Sequence, residues 1–448
     1  MRVEEDPAVV FETLLARDPE RWRSGADTLL RELESRRCTY GGRRMVSVLR
    51  PKVLGSGEYA YLDYACGVLM GAFRRLADMV LADEGLRTFL GVTPLEAELA
   101  MIEPRCPDPC ALARLDTFMT AEGLRFVELN GEAPAGPGYC EVTSEAFVRH
   151  PLIQEWMRRT GAEPLSTMEG LIRGLLMIWR ASGGRRRPRI LITDYLDGPT
   201  VSEFYIMQEY MERAGLETVV EDPRALEYRG GRLVAGGRPV DFVYRRLLTN
   251  EMIDHMDDLG ALLGAYRDGA VVLADPFRAK LAHKKTAFAL LSGDHLGSGW
   301  LTEEERRVVE RHVPWTRRIR ETRTDYHGRQ VDLLPFLVAE RERFVFKPAD
   351  DYGGRGVLAG WECTESECRE YLEEALSGLY VAQERVAMIP ERFPVIEEGL
   401  RMESMIVDLD PYVYMGRVHG VLARLSAGGL CNVTSGGGQV PVFLHPAP

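Results

Sequence analysis

Lysine is scarce in this chain of 448 residues. Only five of its 56 basic side chains are lysine, at positions 52, 280, 284, 285 and 347. We attribute the bias to the base composition of the host genome, and we interpret a retained lysine as a position where a compact ammonium group is wanted. Three of the five, Lys284, Lys285 and Lys347, lie in segments for which a nucleotide site is predicted below.

Long apolar runs and an excess of positive charge are also missing. No apolar run approaches the roughly 18 residues that a membrane-spanning helix needs. The net charge of −12 argues against general binding to nucleic acid or to an anionic membrane. The acidic start of the chain does not resemble a signal or transit peptide, so we expect a cytoplasmic protein.

The eight cysteines are scattered and predict reduced thiols. Cys106 and Cys110 have the spacing of a ligand pair, but no second Cys or His pair lies near them, so a structural zinc site is not predicted. With 45% hydrophobic and 28% charged residues, the composition is that of a soluble globular protein. The length is sufficient for two or three domains.

Residues 344–357 are the most informative stretch and read Phe-Val-Phe-Lys-Pro-Ala-Asp-Asp-Tyr-Gly-Gly-Arg-Gly-Val. A short apolar strand ends in Lys347, a loop with Gly353, Gly354 and Gly356 follows, and apolar residues then resume. Such glycines let backbone N–H groups approach an anion, and Lys347 and Arg355 add positive charge, so the segment predicts a phosphate-binding loop. It is not a Walker A loop, because no Gly-Lys-Ser/Thr follows the glycines. An ordinary hairpin turn is the alternative.

Two predicted strands near residue 120 carry polar pairs. Arg114-x-Asp116 and Glu128-x-Asn130 are twelve residues apart from acid to acid, which fits an antiparallel hairpin with residues 121–123 in its turn. Alternation along each strand places each pair on one face. Asp116, Glu128 and Asn130 would then offer three oxygen ligands, beside the Arg114 guanidinium, to a hard ion such as Mg²⁺. A surface hairpin with a salt bridge is the alternative.

The remaining pattern divides the chain into four parts. Residues 1–95 predict an N-terminal helical region, and residues 96–182 contain the proposed metal-binding strands, a Pro/Gly-rich segment at 131–138 and further helices. That segment is either a substrate contact or a plain connection. After a basic joint at 183–188, strands alternating with helices over residues 188–278 predict a small parallel-sheet domain, without a Gly-x-Gly-x-x-Gly fingerprint. Residues 279–448 predict the nucleotide-binding lobes.

Several local elements are expected within these parts. We predict a strand at 97–102 and charged helical structure at 302–320. A strand at 379–384 ends in the polar pair Gln383 and Glu384, as a hinge facing an adenine edge would, or as a simple strand end does. Three further strands are expected at 401–407, 412–415 and 420–424, and a second Gly-rich loop at 432–438.

The order of these motifs resembles that of the ATP-grasp ligases. It runs from Lys285 through Phe-Lys-Pro and its Gly loop to Ala-Gln-Glu, and then to a strand ending at Arg424 and to Asn432 before Gly-Gly-Gly. In ordinary members the metal-binding acid and Glu-x-Asn come last, whereas here they come first, which implies a circular permutation. The chain is most similar to the circularly permuted group that includes glutathionylspermidine synthetase and uncharacterised bacterial proteins. It departs from that group at Glu403, Met405 and residues 132–138.

The resemblance implies a mixed α/β fold, a circularly permuted ATP-grasp with a small parallel-sheet domain and N-terminal helices. It implies ATP and Mg²⁺ as cofactors. Lys285, Lys347 and the Gly loop would hold the phosphates, the Ala-Gln-Glu strand end would contact the adenine, and the hairpin would bind the metal. Lys284 is the alternative to Lys285. The implied roles are nucleotide binding by Lys285, Lys347, Gly353, Gly354, Arg355, Gly356, Gln383 and Glu384, metal binding by Asp116, Glu128 and Asn130, and catalysis by Arg114, Arg424 and Asn432.

The activity implied is that of an ATP-dependent carboxylate–amine ligase acting through an acyl phosphate on small molecules or peptides. Glutathionylspermidine synthesis is one alternative. A non-catalytic nucleotide-binding partner protein is a second, and a phosphotransferase that stops at a phosphorylated product is a third. The sequence predicts neither the two substrates nor the oligomeric state.

Overall fold

The computed structural model describes residues 6–351, 353–426 and 438–446. Most of the helices lie in the first two thirds of the chain. Those of the described ranges are α1 (Pro7–Leu15), α2 (Pro19–Ser35), α3 (Ser56–Ala82), α4 (Glu84–Leu90), α5 (Pro94–Met101), α6 (Pro137–Arg149), α7 (Pro151–Thr160), α8 (Thr167–Ala181), α9 (Val201–Arg213), α10 (Thr249–Asp254), α11 (Gly260–Arg267), α12 (Lys280–His283), α13 (Thr286–Leu291), α14 (Glu303–His312), α15 (Leu333–Ala339) and α16 (Glu365–Leu376).

The strands are mostly short. They are β1 (Thr39–Tyr40), β2 (Arg43–Arg44), β3 (Lys52–Gly55), β4 (Leu112–Thr120), β5 (Gly123–Asn130), β6 (Glu163–Pro164), β7 (Ile190–Thr193), β8 (Thr218–Glu221), β9 (Glu227–Arg229), β10 (Arg232–Ala235), β11 (Arg238–Pro239), β12 (Phe242–Arg245), β13 (Val272–Leu273), β14 (Thr316–Arg318), β15 (Arg323–Tyr326), β16 (Arg329–Asp332), β17 (Phe344–Pro348), β18 (Leu358–Ala359), β19 (Tyr380–Glu384), β20 (Pro390–Val395), β21 (Arg401–Tyr414), β22 (Arg417–Ser426), β23 (Gly438–Val440) and β24 (Val442–His445). The four longest are β4, β5, β21 and β22.

The largest sheet combines strands from the first and the last third of the chain. Its order is β23-β22-β21-β4-β5, and β20 pairs with the first part of β21. All of these pairings are antiparallel. The hairpin β4–β5 therefore completes a sheet whose other strands lie about 300 residues further along the chain. Helix α3 covers one face of this sheet and buries Leu69, Phe73 and Leu76 in the common core.

Three smaller sheets are built from the middle and later parts of the chain. Strands β13-β12-β7-β8 are parallel, as predicted for residues 188–278, and helices α9 and α11 contribute to their cores. An antiparallel sheet, β11-β10-β9, lies within the same segment. Strands β14-β19-β17-β18 form a further antiparallel sheet that is backed by α15 and α16 through an aromatic core around Phe344. The protein is thus a mixed α/β fold.

Three local predictions were wrong. Residues 97–101 belong to α5 and Ile102 is its C-cap, because Thr93 and Glu96 form a capping box around Pro94 in the first turn. The helix predicted at 302–320 ends at His312, and residues 316–318 pair with β19. The strands predicted at 401–407 and 412–415 are one strand, β21. Pro411 is tolerated within it because the pairing with β22 is irregular between Pro411 and Val413.

Within the described ranges, no helix is both long enough and apolar enough to cross a membrane.

Candidate functional site

One cavity of about 630 Å³ brings the predicted motifs together. Its walls come from the hairpin β4–β5, from the sheet that contains β17 and β19, and from loops of the parallel-sheet segment. The predicted site residues that line it are Arg114, Asp116, Glu128, Asn130, Lys285, Lys347, Gly353, Gly354, Arg355, Gln383, Glu384 and Arg424. Gly356 lies beside the cavity without lining it. Asn432 falls outside the described residues.

The hairpin places its two polar pairs opposite each other. Arg114 is the cross-strand partner of Asn130, and Asp116 is that of Glu128. Asp116 Oδ1 accepts hydrogen bonds from Arg114 Nε at 3.0 Å and from Asn130 Nδ2 at 2.9 Å. Its other oxygen accepts one from Arg424 Nη2 at 2.8 Å. Burial favours the neutral acid, but the charges of Arg114 and Arg424 outweigh it and hold the pKa of Asp116 well below its usual range.

Arg424 also binds two acids that the sequence analysis missed. Asp408 Oδ2 lies 2.6 Å from Arg424 Nη2, and Asp410 Oδ2 lies 2.8 Å from Arg424 Nε. Both acids are on β21 and are almost fully buried. Burial raises the pKa of Asp408 to about 6 and that of Asp410 well above its ordinary value, against the pull of Arg424. Protonation of Asp410 would leave two carboxylates facing the two guanidinium groups of Arg114 and Arg424, which balances the charge.

Two lysines reach the same cavity from the side of β17 and its glycine loop. Lys285 Nζ lies 3.1 Å from Glu128 Oε1 and donates to the backbone oxygen of Asp351 at 2.6 Å. Lys347, the last charged residue of β17, donates to Gln383 Oε1 at 2.8 Å. Burial lowers the pKa of Lys347 to about 8; Glu128 opposes this shift and Lys285 adds to it. An ammonium with so depressed a pKa is poorly compensated, and an anionic ligand would stabilise its charged form.

The backbone of the Gly-rich loop requires glycine. Gly353, Gly354 and Gly356 all have positive φ, at 72°, 76° and 64°. Residues with side chains rarely adopt such values, so the loop depends on glycine. At Gly356 a side chain would in addition meet Pro348 Cγ at 2.8 Å.

The strand end predicted to face adenine lies on the same wall. Gln383 is buried and bridges Lys347 and Thr316, to which its Nε2 donates at 3.2 Å. Glu384 accepts a hydrogen bond from Tyr326 OH at 2.6 Å, so its carboxylate is already engaged by a neighbouring strand. Beyond the strand, Trp361 lines the cavity, and the Arg385 guanidinium lies 4.0 Å from its ring centroid.

The far half of the cavity is formed by residues 131–138 and by the parallel sheet. The two arginines at the end of β12 hold this segment. Arg245 Nη2 donates to Glu132 at 2.9 Å, and Arg246 Nη1 donates to the backbone oxygen of Pro134 at 2.9 Å. Glu203 Oε1 accepts from the backbone N–H groups of Gly136 and Gly138 at 2.7 and 3.1 Å. The segment is therefore fixed by buried charge.

The neighbouring lysines have different surroundings. The backbone of Lys284 is extended, with φ −62° and ψ 130°, which ends α12 and turns Lys284 and Lys285 in different directions. Lys284 is buried against Glu96 and Asp350, at 3.0 and 2.7 Å, and does not line the cavity. Of the two, Lys285 is the one that a ligand in the cavity could contact.

Of the three predicted magnesium ligands at the hairpin, Glu128 and Asn130 fit the role better than Asp116 does. Within the described ranges, no group of three or more His, Cys, Asp or Glu side chains is arranged to hold a metal. Glu128 and Asn130 line the cavity, and two oxygen ligands are enough for an ion that keeps waters and substrate phosphates. Both oxygens of Asp116 already accept guanidinium hydrogen bonds, so Asp116 would have to exchange one of them to coordinate a metal directly.

Comparison with known proteins shows a fold likeness. The sequence matches no protein-family model and no curated protein. A glutathione synthetase-like effector from Globodera pallida, solved in its apo form, has a similar structure, with a TM-score of 0.61 and 14% identity over 98% of each chain. A protein from Methylobacillus flagellatus KT, provisionally assigned as a gamma-glutamylcysteine synthetase, matches with a TM-score of 0.43 and 12% identity over 82% of this chain and 84% of that one. The first comparison shows a shared fold; the second is too distant to carry an argument.

Lys347 should titrate at an unusually low pH. Since only the neutral amine reacts with an acylating reagent, the rate at which trace acetic anhydride labels Lys347 should rise with a midpoint near pH 8. The ordinary value for lysine is about 10.4. Peptide mapping by mass spectrometry measures the rate at each pH. In Glu128→Gln, which lacks the carboxylate that opposes the shift, the midpoint should fall further. A midpoint above pH 10 in the wild type would contradict the account.

Arg424→Met should destabilise the protein by about 3–5 kcal/mol, because it leaves buried carboxylates without their partner. Without Arg424 the pKa values of Asp116, Asp408 and Asp410 rise in the folded state, so folding takes up protons. The free energy of unfolding of Arg424→Met should then fall as the pH rises from 5 to 8. Urea unfolding at several pH values measures this. Arg417→Met, on the same strand but with a side chain that is 68% exposed, should cost under about 1 kcal/mol. Equal stability of the two variants at pH 8 would refute the buried charge cluster.

Proposed function

We propose that this protein is an ATP-dependent ligase that joins a carboxylate to an amine through an acyl-phosphate intermediate. The observation that carries the proposal is the convergence, in one cavity, of a positive-φ glycine loop, two lysines and a buried acid–guanidinium cluster. A fold shared with a glutathione synthetase-like protein supports it. Either feature alone would be weaker, since the fold by itself does not define an activity.

The chemistry explains why these charges are needed. A carboxylate resists attack by an amine, and transfer of the γ-phosphoryl group of ATP to it creates a good leaving group. Such a transfer needs positioning and charge neutralisation more than a covalent nucleophile. In our proposal Lys285 and Lys347 hold the α- and β-phosphates, and the loop with Gly353 and Gly354 covers them. Both lysines lie at the cavity wall, where a phosphate can replace their present protein partners.

Arg114 and Arg424 would act in both halves of the reaction. We propose that they stabilise negative charge on the transferring phosphoryl group and on the tetrahedral intermediate that forms when the amine attacks. Each is already fixed by Asp116, so little reorganisation accompanies the reaction. Asn432 was predicted for the same role and stays a prediction.

Magnesium would be held by Glu128 and Asn130, with Asp116 as a further candidate. When bound, it would neutralise phosphate charge. Adenine would lie at the end of β19 near Gln383 and Glu384. The far half of the cavity, lined by residues 132–136, would then receive the carboxylate and amine substrates, which we expect to be small molecules or peptides. We retain the expectations of a cytoplasmic location and of no binding to nucleic acid or membranes.

We further propose that the ATP-grasp motifs are circularly permuted in this chain. The hairpin β4–β5 precedes the nucleotide-binding strands in sequence, yet it pairs with β21. This pairing supports the proposal, because it delivers the acid and the Glu-x-Asn pair to the strands that they would follow in an unpermuted member. Glutathionylspermidine synthesis and a non-catalytic nucleotide-binding role are the alternatives.

Calorimetry with ATP and Mg²⁺ tests the proposal. We expect saturable binding by the wild type, and affinities reduced by about 10–100-fold in Lys347→Ala and Glu128→Ala, as for the loss of a charged hydrogen bond. Lys52→Ala is the matched control, since Lys52 pairs with Glu391 and lies outside the cavity. Binding should be followed by a screen of acid and amine pairs for ADP release.

The outcomes separate the alternatives. Absence of ATP binding by the wild type would refute the ligase. Binding without ADP release, for any acid and amine pair, would favour the non-catalytic role. Release of ADP with a stable phosphoester and no new amide would indicate a phosphotransferase.

A further inference from the structure

A buried network of charges connects the two halves of the cavity. We define the nucleotide loop as residues 349–351 and 353–357, which follow β17. Asp350 of this loop lies 2.6 Å from Lys280 Nζ and 2.7 Å from Lys284 Nζ. Lys280 was not singled out by the sequence analysis, and it does not line the cavity.

Lys280 has a second partner on the substrate side. Its Nζ lies 3.5 Å from Oε2 of Glu132, which belongs to the 131–138 segment. Glu132 is in turn bound by Arg245 at 2.9 Å and by the hydroxyl of Thr249. One ammonium group is thus shared between the nucleotide loop and the segment that lines the far half of the cavity.

The shared ammonium group and Glu132 are buried, which strengthens the electrostatic interaction between them. The side chains of Lys280 and Glu132 are 1% and 0% exposed. Burial lowers the pKa of Lys280, but Glu132 and Asp350 outweigh it and raise the pKa above its ordinary value. The pKa of Glu132 falls to about 2, because Lys280 and Arg245 outweigh its own burial. Because little water screens these charges, the interaction energy between them depends strongly on the distances that separate them.

Lys284 provides a natural contrast. It lies on the same turn, is equally buried and shares Asp350 with Lys280. Its second close partner is Glu96 of α5, at 3.0 Å, an acid that also lies 3.9 Å from Lys280 Nζ. Within the described part of the chain Glu132 pairs with Lys280 and not with Lys284, so Lys280 is the one of the two that connects the nucleotide loop to the 131–138 segment.

We propose that Lys280 is a positioning residue that couples the nucleotide loop to the 131–138 segment, so that occupancy of the nucleotide site orders the substrate side. This inference rests on the proposed function, because it assumes that phosphates bind at the nucleotide loop. A nucleotide that moves Asp350 would change the ion pair between Asp350 and Lys280. The strength of the ion pair between Lys280 and Glu132 would change as a result. Coupling of this kind is reciprocal, so an occupied substrate side strengthens nucleotide binding by the same factor.

Hydrogen–deuterium exchange tests the coupling, with Mg²⁺ and the non-hydrolysable analogue AMP-PNP as the probe. The amides of Gly136 and Gly138, which donate to Glu203, and that of Ala133, which donates to Asp275, report on the segment. At saturating AMP-PNP their exchange should slow by about fivefold or more in the wild type. Lys280→Met should bind AMP-PNP and lose this slowing, whereas Lys284→Met should keep it.

A second variant guards against misfolding of the first. Glu132→Gln removes the charge from the other end of the contact at nearly constant size, and it too should lose the slowing. Circular dichroism and thermal melting establish that each variant is folded. Slowing retained in both Lys280→Met and Glu132→Gln would overturn the inference. So would a wild type that binds AMP-PNP without any change at residues 131–138. A wild type that fails to bind AMP-PNP would overturn the proposed function and the coupling with it.

Discussion

The structure depends on one buried ion pair between distant parts of the chain. Arg424 on β22 reaches Asp116 on β4, at 2.8 Å, and also engages Asp408 and Asp410 on the intervening strand β21. A guanidinium is suited to this role, because its planar fork can donate to several carboxylates at once. Burying so many charges is costly unless they are paired. The pairing therefore specifies how the hairpin docks on the C-terminal strands, and it fixes Arg114 and Arg424 at the cavity.

Positive charge is concentrated at one cavity of an acidic protein. The chain carries a net charge of −12, yet the cavity is lined by Lys285, Lys347, Arg114 and Arg424. Lys285 and Lys347 each have a carboxylate or carbonyl partner that a phosphate could replace. Arg114 and Arg424 are held in place by acids. Charges that are already oriented need not reorganise when negative charge develops, which is the main source of electrostatic catalysis.

The sequence alone predicted the elements that depend on local signals. The hairpin from Arg114 to Asn130 follows from alternation and a turn, and the glycine loop from its composition. The helix α5 was missed although its signal, Thr93 followed by Pro94 and Glu96, is present. Asp408-x-Asp410 in the otherwise apolar part of β21, residues 405–414, is a second overlooked signal, since two acids on one face of a buried strand need a cation.

Other features had no local signal. The ion pair between Asp116 and Arg424 joins residues 308 positions apart, and only the pairing of β4 with β21 brings them together. The choice between Lys284 and Lys285 depended on a backbone turn at the end of α12. The role of Lys280 became visible only when Asp350 and Glu132 were found on either side of its ammonium group.

The most direct test of the account is an experimental structure with Mg²⁺ and AMP-PNP bound. The account predicts the γ-phosphoryl group between the lysines, Lys285 and Lys347, and the guanidinium groups of Arg114 and Arg424, with the adenine at the end of β19. Nucleotide bound instead at the parallel sheet, or with its phosphates away from both arginines, would contradict the central claim that the hairpin and the glycine loop form one site.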